Sequence, residues 1–142
     1  MAHKQLIRLR FPARAEQLRA VRNSIRAATT PLDLTVELVD ALVLAVNEAC
    51  MNIIQHAYGE HGCCDIVLEI IHCADELIFR LTDFADPIDV TTVRRRDLSE
   101  IRPGGLGLHI IDQVMDTAHF QPPPLGAGNL LEMRKRLPRD GV

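Results

Sequence analysis

A long apolar segment in the first half of the chain limits the folds that the chain can adopt. Between residues 41 and 54 the side chains are aliphatic or sulfur-containing, and the polar interruptions are Asn47, Glu48 and Asn52. The surrounding residues 34–58 fit a single helix, with Asp33 as a suitable N-cap. A helix this apolar is buried on most of its circumference. The rest of the chain must therefore supply at least one layer that packs against it.

Apolar periodicity elsewhere predicts five strands and two further helices. The strands are expected at residues 3–11, 64–73, 77–84, 118–120 and 130–137, and the helices at 13–28 and 108–115. This order predicts an α+β two-layer sandwich, in which helices cover one face of a mostly antiparallel sheet. A chain of 142 residues accommodates one such domain, residues 1–142, with a long loop at about 85–103.

Composition and charge narrow the class of partner. The formal net charge is −3, which argues against nucleic acid as a direct partner, because proteins that bind it usually carry a concentrated positive face. The N-terminus has no apolar signal segment, and no stretch is long and apolar enough to span a membrane. The chain is predicted to be cytoplasmic. Aromatic residues make up 4% of the chain, so the core is expected to be mainly aliphatic.

Three polar residues recur at helical spacing on the apolar helix. Glu48, Asn52 and His56 are separated by four residues each, which places them on one stripe of the helix. An ionised carboxylate there is costly unless it is paired or faces a cleft. Phosphoryl transfer would use such a stripe, with Asn52 as a Mg²⁺ ligand and Glu48 as a base. Alternatively, Glu48 and Asn52 pair with the backbone or each other, and His56 bonds a carbonyl at the helix end.

Two further segments have features suited to a nucleotide. The sequence GGLGL at residues 104–108 precedes a predicted helix, and free N–H groups at a helix N-terminus can hold phosphates. A plain tight turn is the alternative. Asp83 shares a strand face with Leu81, so its carboxylate can point inward and accept a hydrogen bond from the amine of adenine. An Asx-turn at the strand end is the alternative for Asp83.

In this order, the segments resemble the N, G1 and G2 boxes of histidine-kinase-like (GHKL) ATPases. The chain resembles, within that superfamily, the bacterial anti-sigma-factor serine/threonine kinases. The segments that carry the resemblance are 46–58 (VNEACMNIIQHAY), Asp83, 104–108 (GGLGL) and 128–135 (GNLLEMRK).

The resemblance implies a histidine-kinase-like ATPase fold and a role for each matching position. Glu48 is expected to be the catalytic base, Asn52 the Mg²⁺ ligand and Asp83 the adenine acceptor, with residues 85–103 as the ATP lid. Arg102 is the first choice for neutralising the γ-phosphate. The residues expected around the nucleotide are Asn52, His56, Asp83, Ala85, Pro87, Arg102, Gly104, Gly105, Leu106, Gly107, Leu108 and Asn129.

The resemblance also implies partners. The expected phosphate acceptor is a serine on a STAS-type anti-sigma-factor antagonist. The chain is expected to bind a sigma factor in a partner-switching system and to form a homodimer.

Two positions depart from the family pattern. The family places glycines after the aspartate, whereas this chain continues from Asp83 as Phe-Ala-Asp-Pro. The family's last strand often carries a threonine near adenine, and here Asn129 or Leu130 takes its place. Both departures bear on nucleotide affinity more than on the fold.

Two other functions fit parts of the pattern. A non-catalytic module whose lid closes over ATP to control partner binding needs the same nucleotide site without transfer. A metal-binding domain would use the residues His61, Cys63, His72 and Cys73, although their spacing matches zinc sites poorly.

Overall fold

The computed structural model describes residues 3–57, 64–85 and 106–138. These residues contain five strands: β1 (His3–Pro12), β2 (Asp65–Cys73), β3 (Glu76–Asp83), β4 (Thr117–Gln121) and β5 (Asn129–Arg136). The α-helices in this part of the chain are α1 (Leu18–Thr29), α2 (Val36–Asn52) and α3 (Leu106–Val114). Short 3₁₀ turns occupy Ala15–Gln17 and Thr30–Leu32, and a π-helix occupies Ile53–Ala57.

The strands form one sheet in the order β1-β2-β3-β5-β4, and every neighbouring pair is antiparallel. β2 and β3 are joined by a tight turn in which Ala74 has a positive φ of 56°. The predicted α+β fold with an antiparallel sheet and helices on one face is confirmed.

The core lies between one face of the sheet and the helices. Its fully buried members are mostly aliphatic, as the low aromatic content predicts. They include Ile25 from α1, Leu42 and Val46 from α2, and Leu68, Ile70, Leu77, Phe79, Leu81 and Met133 from the sheet. Cys50 also lies in this core as a free thiol, and burial raises its pKa to about 12.

Helix α2 differs from the prediction at both ends. Its N-cap is Thr35, whose hydroxyl accepts a hydrogen bond from the Leu38 N–H at 3.1 Å. Asp33, the predicted cap, instead has a positive φ of 54° and ends the preceding 3₁₀ turn. The α-helix stops at Asn52, and the chain continues as a π-helix instead of one helix to residue 58.

Neither α2 nor any other helix in the described part of the chain has the length and apolar composition needed to cross a membrane.

Candidate nucleotide-binding site

Glu48 and Asn52 lie one turn apart near the C-terminal end of α2. The neighbouring Ala45 and Ala49 face the core, so the polar pair is half-buried at the border of the helix's packed face. Within the described residues, neither side chain makes a hydrogen bond or a salt bridge. In the described part of the chain, the pairing that would explain these residues without a ligand is therefore absent. A half-buried carboxylate and amide without a protein partner are suited to contact a ligand.

Asn47, the remaining polar residue of the apolar segment, is held differently. Its Oδ1 accepts a hydrogen bond from Arg22 Nη1 of α1 at 2.9 Å. This contact ties α1 to α2 immediately beside Glu48. Asn47 is therefore explained by the packing of the two helices, whereas Glu48 is not.

Asp83 is the last residue of β3 and is only 3% exposed. It follows Leu77, Phe79 and Leu81 on the face of the sheet that packs against the helices. The predicted inward orientation of this strand position is confirmed by its burial.

The two oxygens of the Asp83 carboxylate have different surroundings. Oδ1 accepts one hydrogen bond from the Ala85 N–H at 3.1 Å and another from Asn129 Nδ2 at 3.0 Å. The first of these bonds is the Asx-turn considered above as an alternative. Oδ2 has no donor among the described residues. The turn and an adenine contact are thus compatible, because they use different oxygens.

Burial raises the pKa of the Asp83 carboxyl above its ordinary value of 3.8. The hydrogen bonds from Asn129 and Ala85 offset this effect only in part. A buried acceptor of this kind gains much from a further donor, because an unmet polar group in a low-dielectric interior is costly.

Asn129 is the first residue of β5 and lies directly opposite Asp83 in the strand register. Leu130 lies opposite Thr82, on the other face of the sheet. Of the two positions that the sequence left open, Asn129 is therefore the neighbour of the candidate adenine acceptor.

Gly128 belongs to this group of residues, although sequence reasoning did not assign it to the site. Its N–H donates to the Asp83 carbonyl at 2.9 Å. A Cβ at this position would lie 1.7 Å from the Ala85 carbonyl oxygen, so no other residue fits without backbone movement. The signal available in the sequence is a glycine immediately before the last strand.

The second half of the GGLGL motif is helical. Leu106, Gly107 and Leu108 form the first turn of α3, two residues earlier than the predicted start at Leu108. Helix α3 packs against α2, which carries Glu48 and Asn52. The helix that begins with the second half of the predicted phosphate-binding motif therefore packs against the helix that carries Glu48 and Asn52.

Other predicted site residues lie partly or wholly outside the described residues. His56 lies in the π-helix after α2, where the four-residue spacing of an α-helix no longer applies. Its side chain lies outside the described part of the chain. Pro87, Arg102, Gly104 and Gly105 also lie outside the described residues, as does the lid beyond Ala85.

The metal-binding alternative finds no support in the described residues. No group of three or more His, Cys, Asp or Glu side chains that could hold a metal occurs there. His72 and Cys73 lie at the end of β2, and Cys73 Sγ is 3.7 Å from His3 Nε2. His61 and Cys63 lie outside the described residues.

The fold and the site together define a class of protein. A family profile described as histidine kinase-like ATPase domain matches residues 11–135, and the chain belongs to this family. The predicted family is confirmed.

Named relatives define the class more closely. The chain is 28% identical over 146 residues to the serine-protein kinase RsbW of Halalkalibacterium halodurans, covering 97% of this chain and 87% of the relative. It is 27% identical over 150 residues to the serine-protein kinase RsbW of Staphylococcus aureus, covering 98% and 91%. These names agree with the predicted class of protein serine kinase.

A solved structure supports the fold. A chain from the SiaB–SiaC complex of Pseudomonas aeruginosa superimposes with a TM-score of 0.64, covering 92% of this chain and 89% of that chain. Their sequence identity is 13%, so this likeness concerns the fold alone.

Proposed function

We propose that this protein is an ATP-dependent serine kinase that phosphorylates an anti-sigma-factor antagonist. The observation that carries the proposal is the half-buried pair Glu48 and Asn52, which have no protein partner among the described residues. The pair lies on helix α2, which packs against helix α3, and the GGLGL motif runs into the start of α3. Membership of an ATPase-domain family supports ATP as the bound nucleotide.

In this proposal the adenine end of the nucleotide binds at the end of β3. Asp83 Oδ2 accepts a hydrogen bond from the exocyclic amine of adenine, while Oδ1 keeps its two protein donors. Burial of the carboxylate makes this contact selective, because a base without a donor at that position leaves the acid unmet.

The phosphate end binds between α2 and the start of α3. The amide oxygen of Asn52 is a suitable ligand for Mg²⁺, which prefers oxygen donors and retains phosphates and waters as further ligands. When bound, the ion neutralises charge on the phosphates. Backbone N–H groups of the first turn of α3 are suited to the phosphate oxygens.

Glu48 acts as the general base. Its carboxylate accepts the proton of the attacking serine hydroxyl, whose oxygen bonds to the γ-phosphorus. The bond from the γ-phosphorus to the β,γ-bridging oxygen breaks, and ADP leaves with that oxygen. The half-buried Glu48 is available for this role, because its carboxylate has no protein partner among the described residues.

The proposed partners follow from the family resemblance and the relatives. The substrate is a STAS-type antagonist, and the same protein sequesters a sigma factor as a homodimer in a partner-switching system. A cytoplasmic location follows from these partners. Light scattering of the purified protein, alone and with each partner, measures the proposed stoichiometries.

The test uses Mg-ATP and a STAS-type antagonist as the phosphate acceptor. Glu48→Gln is expected to lower the rate of phosphoserine formation by roughly 100-fold or more, while ATP still binds, because a general base contributes about 10²–10⁴ in rate. The matched control is Glu37→Gln in the exposed first turn of α2, which is expected to phosphorylate at the wild-type rate. Undiminished phosphorylation in Glu48→Gln would remove Glu48 from the mechanism.

A non-catalytic ATP-binding module is the second candidate. It is favoured by the missing glycines after Asp83, which make this chain unlike its family at the adenine end. Binding of ATP by wild-type protein, without phosphate transfer to the antagonist and with nucleotide-dependent partner binding, would support this candidate over the kinase.

A further inference from the structure

We infer that Asn129 and Gly128 are the positioning residues for Asp83, and that they set the base selectivity of the nucleotide site from the opposite strand. This inference rests on the nucleotide site of the proposed function and does not depend on phosphate transfer. It assigns the support of Asp83 to the first residue of β5 and to the residue immediately before it.

The first supporting observation is the side-chain contact across the strand pair. Asn129 Nδ2 donates to Asp83 Oδ1 at 3.0 Å, and the two residues are 6% and 3% exposed. Together with the Ala85 N–H, this donor occupies Oδ1 and fixes the rotation of the carboxylate. Oδ2 is left as the oxygen for a ligand donor.

The second observation is the close approach of the two backbones beside this contact. Gly128 N–H holds the Asp83 carbonyl at 2.9 Å, and a Cβ on Gly128 would lie 1.7 Å from the Ala85 carbonyl oxygen. The glycine that this close approach requires therefore lies immediately before β5. The turn after Asp83 can consequently carry Phe84 and Ala85 in its place.

The chemistry of the bases explains how positioning becomes selectivity. Adenine presents an amine donor at its six-position, whereas guanine and hypoxanthine present a carbonyl acceptor there. When two donors hold Oδ1 and fix the rotation of the carboxylate, Oδ2 can accept a hydrogen bond from the amine of adenine. The same oxygen repels the carbonyl oxygen of guanine or hypoxanthine. Without Asn129 the carboxylate can rotate. The hydrogen bond that lowers the pKa of Asp83 against the effect of burial is also lost, so the acid protonates more readily. A protonated Asp83 can then donate a hydrogen bond to a carbonyl.

The experiment measures the binding of ATP, GTP and purine riboside 5′-triphosphate by calorimetry. Purine riboside lacks the six-amino group, so the ratio of its Kd to that of ATP reports the Asp83 contact alone. In wild-type protein this ratio is expected to be roughly 10- to 100-fold, as for a hydrogen bond to a buried charge. In Asn129→Leu the ratio is expected to fall to within about threefold of one, with weaker ATP binding.

The matched control is Asn23→Leu on the exposed surface of α1, for which wild-type ratios are expected. Equal weakening of ATP and purine riboside triphosphate by Asn129→Leu, with the wild-type ratio retained, would overturn the inference. That outcome would make Asn129 merely structural. A wild-type protein that binds the two nucleotides equally, or binds neither, would also overturn it.

The glycine is tested by moving it across the strand pair. Gly128→Ala is expected to lose ATP affinity, and the double variant Gly128→Ala with Ala85→Gly is expected to recover part of it, because the peptide at residue 85 can then move. Gly128→Ala with wild-type affinity would overturn the role of the glycine. Phosphoserine formation is scored separately, so a protein that selects ATP but transfers no phosphate would contradict the kinase and support this inference.

Discussion

Two buried carboxylates of the same sheet, Asp83 and Glu132, are treated in opposite ways. Asp83 is 3% exposed, and Glu132 is 9% exposed. Asp83 lies on the helix-covered face and receives hydrogen bonds from two uncharged donors. Glu132 lies on the opposite face and receives charged hydrogen bonds from Arg80 at 2.9 Å and Arg134 at 3.0 Å.

The pKa values of the two acids move apart as a result. For Asp83, burial outweighs the neutral donors, and the pKa rises. For Glu132, burial opposes ionisation, but the hydrogen bonds and positive charges of Arg80 and Arg134 together outweigh it, and the pKa falls. Burial alone therefore does not distinguish the two residues. The charge of the partners does, because charged donors neutralise an acid internally and neutral donors leave its charge for a ligand.

The strand register aligns further polar residues with Glu132 on the same face of the sheet. Residues of alternating charge or polarity lie opposite one another on all five strands: Arg8, Glu69, Arg80, Glu132 and His119. Cross-strand pairs of opposite charge stabilise a sheet. The face opposite the helices thus carries the ion pairs of Glu132, whereas the end of β3 carries the candidate binding group.

The largest effect is expected on ATP affinity when Asp83 is substituted. Asp83→Asn keeps the shape and the Oδ1 acceptor but places an amide where the adenine amine needs an acceptor. ATP affinity is expected to fall roughly 100-fold, as when a buried charge partner of a ligand is removed, while the free energy of unfolding stays equal or rises. Calorimetry and urea denaturation measure the two quantities. ATP binding within threefold of wild type would contradict the assignment of Asp83.

A smaller effect is expected on the free energy of unfolding when Glu132 is substituted. Glu132→Gln leaves Arg80 and Arg134 without their shared acid, and the free energy of unfolding is expected to fall by about 2 kcal/mol. ATP affinity is expected to be unchanged. Urea denaturation at neutral pH measures the loss, with Glu16→Gln on the surface as the control. A variant as stable as wild type would show that the arginines contribute little through this acid.

The smallest expected effect is a difference between Asp83 and Glu132 in how each makes folding stability depend on pH. Asp83 has a folded pKa above its unfolded value, so the native state loses stability as pH rises from about 3.8 through the folded pKa. Glu132 has a folded pKa below its unfolded value of about 4.5, so its stabilisation is present above that pH and is lost as pH falls through the folded pKa.

Stability measured against pH for the two variants separates these contributions. The deficit of Glu132→Gln relative to wild type is expected to vanish in acid, whereas any gain of Asp83→Asn is expected to appear only as the pH rises. Parallel pH profiles for wild type and both variants would mean that neither pKa is shifted in the folded protein.

The secondary-structure elements, the sheet face of Asp83 and the family could all be predicted from the amino-acid sequence. These depend on local patterns: the period of the apolar residues, the polar interruption at Glu48 and Asn52, and the order of the three motifs. The errors were also local. The cap of α2 moved from Asp33 to Thr35, since both residues are good caps and the backbone of the preceding turn decides between them.

Only the tertiary structure decided which residues accompany Asp83. Asn129 is 46 residues away in the chain, and its contact depends on the register between β3 and β5. The same register brings Gly128 against Ala85 and Arg80 against Glu132. Apolar periodicity fixes which face of a strand is buried, but it carries no information on which residue of a distant strand lies opposite. That choice is made when the strands pair.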